Sequence, residues 1–457
     1  MDSLMKVVSS ITTWIWGIPM LLLLGLGGLF LTIRLGFFQI KYGFYIIQQT
    51  FGKMFSKGEG EGTISPFQAV TAALASTVGA ANIVGVPTAI ILGGPGAVFW
   101  MWVMAILGMG SKFSEVVLGL KYREKNEEGE YVGGPMYYIK NGLNMKWLGV
   151  IFSFFLMLEL IPSIMVQANS VAASALETFN LSTSVTGIFT LIIVGLVVVG
   201  GIKRIGKVTE KLVPFMAGLY IFASLIIILM NISQIPTVLS LIFKNAFTPM
   251  SAVGGFTGSA VAATIRWGVA RGIYSNEAGM GTAPMAHSPA TVDHPVRQGF
   301  WAVFEIIVDT LIICSVTAFV VLSSGVWTAP GAMENPNGLP AQAFTHYFGD
   351  VGGILVTIAL LLFVISTIIV ITFYGEKQAE FLFGLKFSRV MRYVYLASIF
   401  VGAVGGAKII WNFLDLLLAC IILPNMIGVL LLHKDVVELK NEFFSSEKFY
   451  LKDTNKI

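Results

Sequence analysis

Charge is scarce in this chain. Of its 457 residues only 12% are Asp, Glu, Lys or Arg, against 56% hydrophobic ones, and that balance excludes an ordinary soluble domain. Cysteine is nearly absent too. Cys314 and Cys420 lie inside apolar runs, where a thiol behaves as a small hydrophobe, so no disulfide framework is expected. The four histidines, His287, His294, His346 and His433, lack metal-ligand spacing, which argues against a metalloenzyme. Gly25-Leu26-Gly27-Gly28 has no strand before it and reads as helix packing, not as a nucleotide loop. The formal charge of +4 fits the basic loops of a membrane protein and does not imply nucleic acid.

Apolar sequence is what the chain has in abundance. Stretches of about 20 apolar residues recur along nearly all of it, the length a helix needs to cross a bilayer. About eleven candidate spans follow, starting near Thr12, Phe67, Gly96, Trp147, Ser184, Val213, Ala252, Gly299, Gly352, Val390 and Trp411. The first has Lys6 before it and no small-residue cleavage site after it, so it is expected to stay as a helix. Basic residues gather in every second loop: Arg34, Lys41, Lys53 and Lys57; Lys121, Arg123, Lys125, Lys140 and Lys146; Lys203, Arg204, Lys207 and Lys211; Lys377, Lys386, Arg389 and Arg392. The tail adds Lys434, Lys440, Lys448, Lys452 and Lys456, whereas the intervening loops offer only Lys244 and Lys408. By the positive-inside rule the N-terminus is outside and the C-terminus cytoplasmic.

That phase makes span two run inside to outside and span seven outside to inside. Spans two to six and seven to eleven are therefore candidates for an inverted repeat. The domain division reads as an extra first helix and cytoplasmic loop (1–65), a first repeat (66–232), a second repeat (252–433) and a cytoplasmic tail (434–457). Inverted repeats are a mark of secondary transporters, whose substrate sits near the midplane where the first helix of each repeat is broken. Span two carries Ala75-Ser76-Thr77-Val78-Gly79-Ala80-Ala81-Asn82-Ile83-Val84-Gly85-Val86-Pro87, small and polar at mid-membrane depth. It reads either as a break that offers oxygens to a cation or as a kinked helix packed through small residues. In span seven the expected break lies within Gly268 to Asn276, with Gly254 to Gly258 as an alternative. Arg271 and Glu277 beside it are expected to pair or to line a gate, and Ser275 or Asn276 to cap the inner half-helix.

Gly93-Gly94-Pro95-Gly96-Ala97-Val98-Phe99-Trp100-Met101-Trp102 and its continuation to Gly108 resemble the signature of the alanine or glycine:cation symporter family. Gly133-Gly134-Pro135-Met136-Tyr137-Tyr138, Ser275-Asn276-Glu277-Ala278-Gly279 and Tyr374-Gly375-Glu376-Lys377 follow in that family's order, and the resemblance covers essentially the whole chain. It implies an all-α membrane protein with a LeuT-type five-plus-five inverted repeat and one extra N-terminal helix. It also implies import of alanine or glycine across the cell membrane, coupled to sodium and sometimes to protons. Sodium is then the coupling ion, with no other cofactor, and the partners are the amino acid, sodium and the bilayer.

The resemblance places substrate contacts on Thr77, the Gly79 backbone, Ala81 and Asn82, on Gln167 in span four, and on backbone around Gly268, Gly272 and Ile273. Gln167 reads equally as a polar grip on a zwitterion or as an interhelical hydrogen bond. For sodium the resemblance implies the carbonyls of Ala75 and Val78 with the hydroxyls of Ser366 and Thr367. Neutral oxygens of that kind suit a hard cation, although such hydroxyls also back-bond to their own helix. Asp309 is a further candidate for a cation or a proton, or a group held by a hydroxyl such as Thr310 or by an arginine. Three positions depart from the family's pattern: Ala81 stands where many members have glycine, Ile371 where many have tryptophan, and Asp415 to Cys420 lacks a frequent Asn-Gly. The first narrows the expected pocket and the second widens it.

Overall fold

Hydrocarbon offers no partner for a backbone N–H or C=O, so a chain of this composition crosses it as helices whose hydrogen bonds close within each segment. The computed structural model describes residues 10–56, 58–249, 260–405 and 408–451, and it is helical almost throughout. Among the described residues the one sheet is a two-stranded ribbon, Glu124–Lys125 paired antiparallel with Tyr131–Val132, in a basic loop.

The long elements, in chain order, are α1 (Ser10–Arg34), α2 (Pro66–Thr77), α3 (Val86–Gly93), α4 (Ala97–Lys121), α5 (Lys146–Phe179) and α6 (Thr183–Val198). They continue as α7 (Gly201–Met230), α8 (Val261–Asn276), α9 (Pro295–Ser324), α10 (Asp350–Phe383), α11 (Leu385–Val404) and α12 (Lys408–Leu431). Among the described residues eight helices are long and apolar enough to span a membrane, or nine if the bent pair formed by α2 and the helical run Ala81–Gly93 counts as one. α6 and α8 have 16 residues each and are shorter. The expected span starts fall at or inside these helices, except Ala252, which lies outside the described residues.

Local chemistry sets where α2 begins. Ser65 Oγ accepts the Gln68 amide while Gln68 Oε1 accepts the Ser65 amide, and Pro66 fills the first helical position. This reciprocal cap satisfies two donors that a helix start otherwise leaves open.

Two groups of helices surround α2. α1, α8 and α9 pack on α4, whereas α10, α11 and α12 pack on α5; α2 itself lies against α7 and α10. Small residues allow the close approaches, as expected where dispersion and not water drives helix association. A Cβ at Gly28 would sit 3.1 Å from the Leu107 carbonyl oxygen and one at Gly27 2.6 Å from Met426 Cε, so these two glycines of α1 are packing surface. On the outside of the molecule α6 and α7 expose Ile192, Leu196, Phe215, Phe222 and Leu229, an apolar face suited to lipid. At the basic end Arg123 donates to the carbonyls of Glu61, Ser288 and Ala290 and so ties three loops together.

Gly268 of α8 makes a tight helix contact: a Cβ there would lie 2.4 Å from the Ala97 carbonyl oxygen and 2.7 Å from Trp100 Cβ. Gly268→Ala is therefore expected to lower stability by about 1–3 kcal/mol, the usual cost of overpacking. Gly218→Ala, where nothing lies within 4 Å, is expected to be neutral or better. Thermal unfolding of both purified variants by scattering or fluorescence checks the pair.

Candidate functional site

α2 stops at Thr77 because the next residues cannot continue the hydrogen-bond ladder. Val78 leaves helical geometry (φ −78°, ψ 84°), and the Gly79 amide turns to Thr77 O (3.0 Å) and Asn82 Oδ1 (2.9 Å). That releases the Ala75 carbonyl from its helical partner four residues on. The chain resumes as a π-helical turn, Ala81–Gly85, and then as α3; the axis bends by 48° across the interruption. Span two is thus broken, not merely kinked.

The break is held by groups from other helices. Ala80 donates its amide to Gln167 Oε1 at 3.3 Å. A Cβ at Gly79 would fall 2.7 Å from Thr367 Oγ1 and 3.3 Å from Gln167 Nε2, so glycine is what lets α5 and α10 approach this backbone. Gln167 therefore makes an interhelical bond while facing the break. Ser366 and Thr367 both donate to the Phe363 carbonyl, at 2.8 and 2.9 Å. Back-bonding spends the hydroxyl proton and leaves oxygen lone pairs as acceptors. Ala75, Val78, Ser366 and Thr367 are all buried.

The second break differs from the sequence expectation. α8 runs unbroken from Val261 through Asn276, so Gly268, Gly272 and Ile273 spend their backbone groups on helix bonds, and the two glycines pack against Ala97, Trp100 and Met101 of α4. The interruption comes later. Glu277 (φ 56°), Gly279 (φ 89°) and Gly281 (φ 78°) take left-handed backbone before the short helix Ala283–His287. Left-handed geometry is open to glycine at little cost, and the glycines at 279 and 281 decide where the chain turns. The alternative break at Gly254 to Gly258 lies outside the described residues.

Roles around this break shift accordingly. Glu277 accepts a hydrogen bond from the Thr282 hydroxyl, while the Arg271 guanidinium lies over the Trp267 and Tyr274 rings at 5.3 and 5.9 Å. Arg271 also lines a cavity bounded by the Asn335–Gly338 loop. Asn276 Oδ1 accepts the Ala278 amide, and Ser275 turns to Asp309; neither caps the inner helix.

Asp309 joins the two breaks. Its Oδ1 accepts from Asn82 Nδ2 at 2.6 Å, and its Oδ2 accepts from Ser275 Oγ at 2.8 Å and Thr310 Oγ1 at 2.7 Å. Asn82 thus bonds the first break on one side and Asp309 on the other. Asp309 stands in a π-helical stretch of α9, Ile307–Cys314, an irregularity common at functional sites. Among the described residues no group of three or more His, Cys, Asp or Glu stands together as a transition metal would need.

Two spaces meet at this place. One, of about 390 Å³, is lined by Ala80, Ala81, Gln167, Asn169, Arg271 and Tyr274 and opens towards the Asn335–Gly338 loop. The other, of about 30 Å³, lies deeper among Thr77, Glu159, Glu277, Thr367 and Ile371. Ala81, Gln167 and Tyr274 line both and form the septum between them. The deeper space has room for about two water-sized spheres, so an amino acid enters only if the septum moves. A cavity of about 730 Å³ between Lys140, Lys146, Phe154 and Phe381 lies at the basic end, away from both breaks.

Several polar groups here have no part in the sequence reading: Lys112, Glu115, Glu159 and Glu305. Lys112 and Glu305 pair at 2.6 Å with both side chains fully buried. Asn425 Nδ2 donates to Glu115 Oε1 and to the Gly279 carbonyl, and it accepts the Tyr138 hydroxyl. Any charge inside an apolar span is expensive enough to be a signal, but averaging over a window of residues conceals it.

The sequence profile of the sodium:alanine symporter family matches residues 1–456. The chain is 59% identical over 456 residues to the uncharacterized transporter YflA of Bacillus subtilis (strain 168), covering 100% of this chain and 97% of that one. It is 41% identical over 443 residues to the sodium/alanine symporter AgcS of Methanococcus maripaludis, covering 96% and 97%. A solved manganese transporter variant from Eremococcus coleocola shares the fold at a TM-score of 0.52 and 15% identity, over 85% of this chain and 83% of that one.

Asn82→Ala removes the Gly79 cap and one donor to Asp309 together. It is expected to cost about 2–4 kcal/mol, the sum of a lost neutral bond and a lost bond to a carboxylate. Asn82→Asp, which sets a second carboxylate against Asp309, is expected to cost at least as much. Thermal unfolding in detergent ranks the two; a wild-type midpoint for either would refute the Asn82 link.

Proposed function

The chain belongs to the sodium:alanine symporter family, and from that premise we propose that it imports alanine or glycine with sodium by alternating access. The frame proposed is an eleven-span, LeuT-type five-plus-five inverted repeat in the cell membrane, with the N-terminus outside and the C-terminus cytoplasmic. The observation that carries the reading is the interruption of α2 at Thr77, where Asn82 and Gln167 take the freed amides and Thr77, Gln167 and Thr367 line one small space.

Sodium is assigned to the carbonyls of Ala75 and Val78 with the hydroxyls of Ser366 and Thr367. A hard cation takes several neutral oxygens at once, and the α2 break frees carbonyls there while back-bonding leaves the two hydroxyl oxygens as acceptors. The amino acid is assigned to the space beside it, between Thr77, the Gly79 backbone, Ala81, Asn82 and Gln167. Tyr274 and Ile371 close the pocket in place of the α8 backbone at Gly268 to Ile273. A cation that orders the α2 break completes the amino-acid site, so each ligand favours the same conformer, and that shared preference is coupling. Ala81 restricts the pocket to a small side chain, while Ile371 leaves room that a tryptophan would fill.

One observation favours a second reading, in which protons contribute. Asp309 is a buried carboxylate whose three side-chain donors, Asn82, Ser275 and Thr310, are all neutral, so it suits a proton or a second cation.

Reconstituted protein is expected to take up labelled alanine or glycine faster under an inward sodium gradient than without it. Stimulation by a proton gradient alone would favour the Asp309 reading, and indifference to both gradients would contradict coupled transport. Gln167→Ala is expected to raise the alanine KM by about tenfold or more, the loss of one to two hydrogen bonds. A thermal-shift series with glycine, both alanine enantiomers, serine and glutamine, with and without sodium, identifies the substrate.

A further inference from the structure

Glu305 is fully buried within α9, and its two oxygens reach three separate pieces of chain. Oε1 accepts from Lys112 Nζ at 2.6 Å and from Thr77 Oγ1 at 3.3 Å. Oε2 lies 3.3 Å from His287 Nε2. Gln298 Nε2 donates to His287 Nδ1 at 2.7 Å, which leaves the ring proton on Nε2 to be donated to Glu305. Lys112 makes a second bond at 2.6 Å, to the carbonyl of Asn276.

These contacts fall at three particular points. Thr77 is the last residue of α2, at the first break. Asn276 is the last residue of α8, at the start of the second break, and His287 ends the short helix on its far side. One carboxylate and one ammonium therefore hold the start of the first break, the start of the second and the short helix that follows it. The ammonium also sits where helix carbonyls lack partners and favour positive charge.

We infer that Lys112 and Glu305 are positioning residues that tie the two helix breaks into one unit, so that neither opens without the other. A buried ion pair adds little net stability but strongly penalises its own separation, because a lone charge is left in a low dielectric. Movement at the first break pulls Thr77 from Glu305, and movement at the second pulls Asn276 from Lys112 or His287 from Glu305. Either motion strains the same pair. The consequence for cation and substrate coupling rests on the transport reading above; the mechanical tie does not.

The test is hydrogen–deuterium exchange of the full chain in lipid nanodiscs, followed in peptides spanning 77–82 and 277–282. Lys112 contacts only the second break directly, yet Lys112→Met is expected to speed exchange by about tenfold or more in both segments. Acceleration confined to 277–282 would overturn the inference, as would none at all. The double variant Lys112→Met with Glu305→Gln leaves no unpaired charge. It is expected to recover thermal stability towards wild type while both segments still exchange fast. Recovery of slow exchange together with stability would show a merely structural pair and would overturn the inference, and this variant decides if Lys112→Met alone does not fold. In parallel, alanine binding by the double variant is expected to lose its dependence on sodium. Wild-type binding that ignores sodium would instead refute the transport reading, and the exchange measurements would still decide the tie.

Discussion

A backbone N–H or C=O left unpaired in hydrocarbon costs several kcal/mol, and the two helix breaks are arranged around that cost. Where α2 stops, Asn82 and Gln167 take the amides of Gly79 and Ala80. Where α8 stops, Lys112 takes the carbonyl of Asn276 and Asn425 takes that of Gly279. Side chains from α4, α5 and α12 thus stand in for missing helix turns. Two of the residues that make this repair, Asn82 and Gln167, are ones to which the amino acid is assigned in the proposed function.

The two breaks are connected by two separate links. Asn82, Asp309 and Ser275 form one; Thr77, Glu305, Lys112 and Asn276 form the other. Both run through α9, which packs on α4 and carries Asp309 and Glu305 in its buried half. α9 is therefore the piece through which a change at one break is felt at the other. A carrier needs such a connection, since a site opened on both sides at once would leak.

Much of the fold is legible in the sequence, for a physical reason. Apolar length and basic loops are read one segment at a time, and most described helices begin close to where those patterns place them, although α7 starts at Gly201 and not near Val213. The α2 break is also legible, because Gly79 and Asn82 sit together at mid-span with Pro87 beyond. The second break is not. Gly268 and Gly272 look like a weak point but serve packing against Ala97 and Met101, whereas Gly279 and Gly281 reveal themselves only through their left-handed backbone. A glycine that relieves crowding and one that allows a turn are identical in sequence. The Lys112 and Glu305 pair escapes for another reason: residues 193 apart in the chain meet only once α4 packs on α9. The Tyr374-Gly375-Glu376-Lys377 motif has a structural role in this conformation, since Glu376 accepts two bonds from Arg392 and fixes α10 to α11.

The central claim is that the interruption of α2 is the ligand site and that α8 contributes its end, not its middle. The most direct measurement is a high-resolution structure of the protein with sodium and alanine bound. The account predicts amino-acid density between Ala81, Gln167 and Ile371, with a cation among Ala75, Val78, Ser366 and Thr367. Density confined to the wider cavity beside Asn169 and Arg271, or an α8 unwound at Gly268 to Ile273 around the ligand, would contradict it.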